Sequence, residues 1–409
     1  MSSGFLVRRD SLALFLIGFV TFALLYAVQA LLPAFASDFQ VSAADSALAL
    51  SVSTGMLALS ILLSAVVASR MDRRRLMLGA ILAATLLNGL SAMSTQWWQV
   101  LICRALMGAC LGAVPATAMA YLGDTVSGRQ LARAMGLYVA GTAMGGMTGR
   151  VGIALVSDPW GWRAGLLGMS ILCLLALAGM VRMMPADDAR SGAGQLQARL
   201  PLLPWRELLI HPRLSRLFAC GGLASGIFVT AYNYASFHLL GEPFNLRPAQ
   251  VGLIFLCYLF GVASSGFSGR LVEASGSARV LRGACVLTAV GVGLSLTLHM
   301  AAFVLGLCLM TAGFFALHAV CSGLVGKESG PHKAQATSIY LLAYYIGSSV
   351  LGYAGGWLWG HGGWPWLSGG LLAALAVFMA LLRTLERQPE TMLDGMRPAA
   401  VLPDAWNAK

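Results

Sequence analysis

Twelve apolar stretches follow one another along almost the whole chain, and each is long enough for a helix to cross a lipid bilayer. A helix rises about 1.5 Å per residue, so about 20 apolar residues span roughly 30 Å of hydrocarbon. The stretches are Leu12 to Leu32, Ser46 to Ala68, Leu76 to Ser94, Val100 to Leu122, Ala134 to Val156, Ala164 to Val181, Leu217 to Leu240, Val251 to Val272, Gly283 to Leu298, Met300 to Gly326, Ala334 to Trp359 and Trp366 to Leu382. They are continuously apolar rather than alternating, which favours helices over a β-barrel. The sequence therefore predicts an all-α polytopic membrane protein.

The composition agrees with a lipid environment. Charged residues make up 11% of the chain and hydrophobic residues 58%, whereas soluble domains carry about 25% charged residues. The eight cysteines lie within the apolar stretches and not at spaced loop positions. This placement predicts neither a disulfide framework nor a metal site, and no cofactor is expected.

The basic residues indicate how the chain is oriented in the membrane. Apart from Arg104, Arg150, Arg163 and Arg247, the 27 lysines and arginines fall at one face when alternate loops are assigned to opposite sides. The positive-inside rule then places both termini and the central loop in the cytoplasm of a bacterial-type inner membrane. Topology and anionic lipid account for the net charge of +11, so no nucleic-acid partner is expected.

The chain divides into two similar halves. A segment rich in Pro, Gly, Gln and Asp separates six stretches from the next six and predicts a cytoplasmic linker at residues 184–213. Trp162 before the sixth stretch matches Trp366 before the twelfth, an offset of 204 (366 − 162). We therefore predict two pseudo-symmetric six-helix bundles at residues 1–183 and 214–385, with a cytoplasmic tail at 386–409 and a central site between them.

Three short patterns recur at fixed places among the stretches. The loop after the eighth stretch contains Gly269, Leu271, Val272, Glu273 and Gly276, and the loop after the second keeps Arg70, Asp72, Arg73 and Arg74. The fourth stretch has an arginine four positions before a glycine, Arg104 and Gly108. The fifth stretch has glycines at intervals of four, Gly141, Gly145 and Gly149, which lie on one helical face and permit close packing of a neighbouring helix.

These patterns, in this order, resemble those of the major facilitator superfamily, and more narrowly its drug and sugar efflux branch of proton antiporters. The resemblance covers roughly residues 10–385. It implies the major facilitator fold, transport by alternating access, and a loop that acts as a conformational latch. In the first half, Ser69 stands where the family's loop has Asp, which weakens the first latch.

Two arginines and one histidine are the strongest candidates for transport chemistry. Arg104 and Arg150 are the basic residues well inside the stretches. Inserting a charged side chain at the centre of a membrane helix raises the free energy by about 2.5–3.5 kcal/mol on insertion scales, so we expect each arginine to have a specific role. They either bind a substrate anion, gate protons, or pair with Asp38, Asp45, Asp158 or carbonyl groups. No Asp or Glu lies mid-membrane, so His318 is the candidate proton carrier, with Asp38 or Asp45 at the outer mouth as the alternative proton acceptors. A structural hydrogen bond to a neighbouring helix is an equally good interpretation of His318.

The resemblance implies that the first, fourth, seventh and tenth stretches line a cavity. Its predicted lining is mostly aromatic and suits a lipophilic or amphipathic solute that is neutral or anionic; packing alone is the alternative for about half of these side chains. Besides Arg104, Arg150 and His318, the candidates are Tyr26, Gln29, Tyr232, Asn233, Tyr234, Phe314 and Phe315, with Tyr344 and Tyr345 nearby.

We therefore predict a secondary transporter that exports small organic compounds in exchange for protons and that needs one copy to form a pathway. A proton-coupled importer of an organic anion or sugar with the same fold is the alternative. A membrane-embedded enzyme is not expected, because the sequence has no HExxH, GxSxG or phosphate-binding GxxxxGK[ST] motif.

Overall fold

The computed structural model describes residues 2–68, 72–125, 128–184 and 205–387, and within these ranges it contains helices and no strand. The helices are α1 (Ser2–Tyr26), which continues through a 3₁₀ segment (Ala27–Leu31) into α2 (Leu32–Asp38), then α3 (Ala43–Ala68), α4 (Arg73–Ser91), α5 (Trp97–Thr125), α6 (Gly128–Met183), α7 (Trp205–Ile210), α8 (Pro212–Leu240), α9 (Pro248–Gly252), a 3₁₀ segment (Leu253–Cys257), α10 (Tyr258–Ser275), α11 (Ser277–Ser295), α12 (Met300–Glu328), a 3₁₀ turn (Gly330–His332) and α13 (Lys333–Glu386). The predicted all-α fold is confirmed.

Nine helical stretches in the described ranges are long and apolar enough to cross a membrane. Two of them, in α6 and α13, extend over 50 and 52 residues. Both are interrupted by non-helical backbone, at Gly161 in α6 and at Gly362 and Gly363 in α13, so each contains two of the predicted stretches. The third predicted stretch coincides with α4, whose first turn carries three arginines. The exact number of crossings stays a prediction.

The two halves repeat each other in helix length as well as in sequence. Helices α4 and α11 both have 19 residues, at an offset of 204 (277 − 73). Helices α5 and α12 both have 29 residues, at an offset of 203 (300 − 97). The offset therefore changes by a residue from one loop to the next, because a loop can gain or lose a residue without altering the helices that it joins.

One detail of the predicted alignment is wrong. The helix breaks before Trp162 and before Trp364, since Gly161 and Gly363 have positive φ angles of 77° and 58°. Trp162 and Trp364 are buried, whereas Trp160 and Trp366 are exposed by 71% and 55%. The equivalent of Trp162 is thus Trp364, at an offset of 202 (364 − 162), and not Trp366.

Glycines allow close contact between α1 and α6 in the first bundle and between α8 and α13 in the second. Along α6, a Cβ on Gly141 would overlap the carbonyl of Phe15, one on Gly145 that of Phe19, and one on Gly149 would lie 2.8 Å from the Cα of Ala23. In the second bundle, a Cβ on Gly347 of α13 would overlap the backbone of Gly222 in α8. The backbones of these helix pairs therefore touch without intervening side chains.

A buried ion pair ties three helices of the second bundle together. The guanidinium of Arg213 at the start of α8 donates from Nη2 and Nε to the two carboxylate oxygens of Glu328, at 2.7 and 3.0 Å, and from Nη1 to the carbonyl of Leu385 at 3.2 Å. The side chains of Arg213 and Glu328 are only 10% and 9% exposed. Next to them, burial lowers the pKa of His211, which caps α8.

The two bundles meet along helices α3 and α13, along α6 and α9, and where the end of α1 approaches α8. The hydroxyl of Ser349 donates to the carbonyl of Ser51 at 2.9 Å and lies 2.9 Å from the hydroxyl of Thr54. Gly356 packs against Ala44, and Gly252 against Ala154. These contacts run from the middle of the helices to the end of the bundles that carries residues 39–42 and 241–247, which we call the closed end.

Candidate functional site

Arg150 lies at the junction of the two bundles, in the part of α6 near the closed end. Its side chain is 2% exposed. The Nε group donates to Oε1 of Gln29 at 2.7 Å, and Nη1 donates to the carbonyl of Gly146 at 2.5 Å. The guanidinium carbon lies 4.3, 5.2 and 4.8 Å from the ring centroids of Tyr26, Phe255 and Tyr258. A cation surrounded by ring faces is stabilised by their negative quadrupoles.

Gln29 carries this network across to the second bundle. It sits in the 3₁₀ segment after α1, and its Nε2 donates to Oδ1 of Asn233 at 2.7 Å and to the carbonyl of Val229 at 3.4 Å. Gln29 and Asn233 are 204 positions apart, so this hydrogen bond joins one half of the chain to the other. The Nδ2 of Asn233 is buried and has no hydrogen-bond partner among the described residues.

Arg104 occupies a different environment, inside the first bundle. It is fully buried and donates from Nε to the carbonyl of Ala49, from Nη1 to that of Leu24, and from Nη2 to that of Leu25, at 3.2, 3.1 and 2.7 Å. The change from α to 3₁₀ hydrogen bonding just after Leu25 leaves a helix carbonyl without an amide partner. Of the alternatives considered for Arg104, the structure therefore shows pairing with carbonyl groups. All three guanidinium nitrogens donate to the backbone.

Two of the three loop carboxylates suggested as partners for the two arginines are engaged elsewhere, and the third, Asp158, is exposed. Asp38 accepts from Nη1 of Arg163 at 2.7 Å and from the indole of Trp162 at 3.0 Å. Asp45 accepts from the hydroxyl of Ser42 at 2.7 Å. Neither forms an ion pair with Arg104 or Arg150.

His318 lies in an aromatic cluster of the second bundle. Its Nδ1 is 3.0 Å from the hydroxyl of Tyr340, and its ring centroid is 4.9 Å from that of Tyr344 and 6.0 Å from that of Phe314. Phe314 stacks on Phe228 at 3.9 Å, and Phe228 lies 5.3 Å from Tyr258. A continuous series of rings thus joins His318 to the surroundings of Arg150.

The other predicted aromatic residues pack beside this series. Phe315 meets Phe314 edge to face, and Tyr344 meets Tyr345 in the same way. Tyr232 bonds to Thr311 and is fully buried. Tyr234 donates to the carbonyl of Gly352, toward the α3–α13 contact.

Two residues at Arg150 were missed by the sequence analysis. Phe255 and Tyr258 lie where the 3₁₀ segment after α9 passes into α10, in the eighth stretch, which was not expected to line the cavity. A possible signal was their spacing of three, which places two large aromatic side chains on one side of a helix.

The predicted latch residues are only partly described. Arg70 lies outside the described residues. Asp72 accepts a hydrogen bond from the amide of Arg75 at 2.7 Å and so caps α4, while Arg73 begins that helix. In the second half of the chain, Gly269 and Glu273 are exposed in α10, and Gly276 ends that helix with a φ of 85°. A Cβ on Gly108 would overlap the carbonyl of Ser53 in α3.

Comparisons with known proteins agree with this architecture. The model of the Major Facilitator Superfamily matches residues 14–240 and 218–407. The chain belongs to this family. It is 36% identical over 381 residues to the inner membrane transport protein YnfM of Escherichia coli strain K12, covering 92% of this chain and 90% of that protein. The resemblance seen in the sequence is thereby confirmed at the level of the superfamily, and the chain is an integral membrane transporter of this type.

Two further proteins bear on the comparison. A chloramphenicol resistance protein of Streptomyces lividans is 28% identical over 238 residues, covering 57% of this chain and 58% of that protein. The crystal structure of a bacterial homologue of the human lysosomal transporter Spinster, in an inward-facing and occupied conformation, superimposes with a TM-score of 0.75 at 14% identity. It covers 92% of this chain and 96% of the other, and this likeness concerns the fold.

Proposed function

We propose that this major facilitator protein exports small organic compounds across the inner membrane in exchange for protons. The observation that carries the proposal is the position of the contacts between the bundles. Gln29 with Asn233, Thr54 with Ser349, and Ala154 with Gly252 all meet from mid-helix to the closed end. With the orientation that the positive charges predict, the closed end faces outward and the termini face the cytoplasm.

Alternating access then requires these contacts to separate and others to form at the opposite end. The contacts are suited to reversible opening. They consist of hydroxyl and amide hydrogen bonds and of small residues in van der Waals contact, each of which contributes on the order of 1 kcal/mol. One copy of the chain supplies both bundles and hence the whole pathway.

His318 is the residue that we propose as the proton carrier. Its Nδ1 has one side-chain partner, the hydroxyl of Tyr340, and the aromatic series connects it to the Arg150 site. The alternatives Asp38 and Asp45 are already engaged with Arg163 and Ser42. Imidazole changes its charge within the physiological pH range, which suits a proton-driven cycle.

Export is favoured over import by the glycine face of α6 and by the similarity to a chloramphenicol resistance protein. Everted membrane vesicles with an acidic lumen test the direction. A panel of dyes, antibiotics, sugars and organic acids is added in turn, while a pH-sensitive dye reports the lumen. We expect exported compounds to accumulate in the lumen while protons leave it. Movement of solute and protons in the same direction across the membrane would instead establish the importer.

The same vesicles test His318. In the variant His318→Ala we expect proton-driven accumulation to be lost, while exchange of labelled for unlabelled solute continues, because exchange needs no net proton movement. His361→Ala is the control, since His361 is exposed at a helix end and bonds to the carbonyl of Trp357. An unchanged pH dependence of transport in His318→Ala would remove this residue from the proton pathway.

A further inference from the structure

The charge of Arg150 has no counter-ion among the residues that the structure describes. Its two acceptors, the Gln29 amide and the Gly146 carbonyl, are neutral, and the groups that face it are the rings of Tyr26, Phe255 and Tyr258. A buried cation without an opposite charge is unfavourable in a medium of low dielectric constant. The site would therefore gain stability from an anion.

Arg104 shows how the chain can satisfy a buried arginine with its own backbone. Each of its three guanidinium nitrogens donates to a backbone carbonyl of α1 or α3. Arg150 differs because only Nε and Nη1 donate, and Nη2 has no hydrogen bond to any described residue. A guanidinium has five N–H groups, so Arg150 keeps donors available for a ligand.

A second donor lies at the other end of the same network. Arg150 donates to Gln29, and Gln29 donates to Asn233, so the side-chain oxygen of each amide already accepts a hydrogen bond. The Nδ2 of Asn233 is left buried without a partner, on the side facing Gly352. The network thus presents two nitrogen donors without a partner in the described part of the chain, Nη2 of Arg150 and Nδ2 of Asn233, and this favours a ligand that accepts hydrogen bonds.

The apolar part of the site limits the rest of the ligand. Tyr258 connects the surroundings of Arg150 to Phe228, which stacks on Phe314 with an interplanar angle of 7°. Flat side chains in this arrangement favour a ligand with a planar ring, which can stack or meet them edge to face. Polar sugars and lipophilic cations do not match a site with these properties.

We propose that Arg150 binds the carboxylate of small aromatic acids and that these compounds are a substrate class of the transporter. The carboxylate contacts the free N–H groups of the guanidinium, and the ring lies against Tyr258 and the neighbouring aromatic side chains. This inference rests on the proposed transport function, because it names the cargo of that site.

Binding to the purified full-length protein tests the inference without any transport step. The probes are benzoate, phenylacetate and cinnamate, each compared with its neutral amide, which has the same shape. We expect the wild-type protein to bind at least one acid at least ten times more tightly than the corresponding amide. Equal binding of acid and amide, or no binding of any of the three acids, would overturn the inference.

Variants locate the charge that is recognised. Arg150→Gln should weaken binding of the acid about 10- to 100-fold and leave binding of the amide unchanged, since a hydrogen bond to a charged group is lost. Arg150→Lys should give an intermediate affinity, because the charge remains and the planar fork does not. Arg163→Gln is the matched control, since that arginine lies in the same bundle and pairs with Asp38 at 2.7 Å.

The outcome is independent of the proposed export. Acid binding that is unchanged in a folded Arg150→Gln protein refutes this inference, while compounds without a carboxylate that release lumenal protons still support export. Conversely, selective binding of the acids with solute and proton moving together would retain this substrate class and refute antiport. The comparison of acid and amide in the wild-type protein needs no variant and remains decisive if one does not fold.

Discussion

Replacing Glu328 with alanine should lower the free energy of unfolding by about 3–5 kcal/mol. The change removes both carboxylate oxygens from Arg213 and leaves its guanidinium charge buried where α8, α12 and the end of α13 meet. The measurement is unfolding of the purified protein in mixed detergent micelles, followed by its helical signal.

Two controls separate this effect from a general loss of charge. Arg282→Ala removes a more exposed pair, Arg282 with Glu386 at 3.4 Å, in which the arginine side chain is 51% exposed, and it should cost less than about 1 kcal/mol. Replacing Arg213 and Glu328 together with leucine should destabilise the protein less than Glu328→Ala alone, because the double variant buries neither charge. Equal effects of Glu328→Ala and Arg282→Ala would contradict the structural role of the buried pair.

Gly145→Ala should destabilise the protein by about 1–3 kcal/mol and strongly reduce transport. The added methyl group would overlap the carbonyl of Phe19, and backbone cannot move aside unless α1 and α6 separate. That separation would also displace Gln29 from Arg150, because Gln29 lies in the 3₁₀ segment that continues α1 and Arg150 lies on α6. Thermal unfolding and solute exchange in proteoliposomes measure the two effects.

Gly152→Ala is the matched control, since it makes the same change in α6 at a position where a Cβ has nothing within 4 Å. Alanine is favoured over glycine within a helix by about 1 kcal/mol. The control should therefore be neutral or slightly stabilising, opposite in sign to Gly145→Ala. The same sign and size for both variants would show that the α1–α6 contact tolerates a methyl group.

Much of the fold could be predicted because few backbone structures can cross a lipid bilayer with their hydrogen bonds satisfied. Continuous apolar stretches of sufficient length specify membrane helices. The boundaries were less predictable where helices run into each other, as at Gly161 and Gly363, whose left-handed backbone interrupts α6 and α13. Equating Trp162 with Trp366 failed because the sequence alone does not show which tryptophan of each pair follows the break.

The sequence predicted most residues of the candidate site but not the contacts between them. Tyr26, Gln29, Arg150 and Asn233 were all candidates, but the sequence does not indicate that Gln29 bonds to both Arg150 and Asn233. A hydropathy profile does not distinguish Arg104 from Arg150, because it shows that a charged residue lies within an apolar stretch and does not show which groups that residue contacts. Only the structure separates the guanidinium that binds carbonyls of α1 and α3 from the one that retains free donors.

The central claim, that the two bundles move apart at the closed end during transport, is tested most directly by a reversible cross-link. The hydroxyl oxygens of Thr54 and Ser349 are 2.9 Å apart across the contact between α3 and α13, so cysteines at both positions are placed to form a disulfide. The variant is made with Cys257 and Cys308 replaced by alanine, because their sulfurs lie 3.3 Å apart.

The control pair joins two helices of one bundle. Asn88 and Ser170, whose side chains are 2.9 Å apart, both lie in the first bundle and should not move relative to each other. Transport is measured after oxidation and again after reduction, with the extent of cross-linking determined in the same samples. We expect oxidation of Thr54→Cys/Ser349→Cys to stop transport and reduction to restore it, while Asn88→Cys/Ser170→Cys remains active in both states; continued transport by a fully cross-linked Thr54→Cys/Ser349→Cys protein would contradict alternating access through this contact.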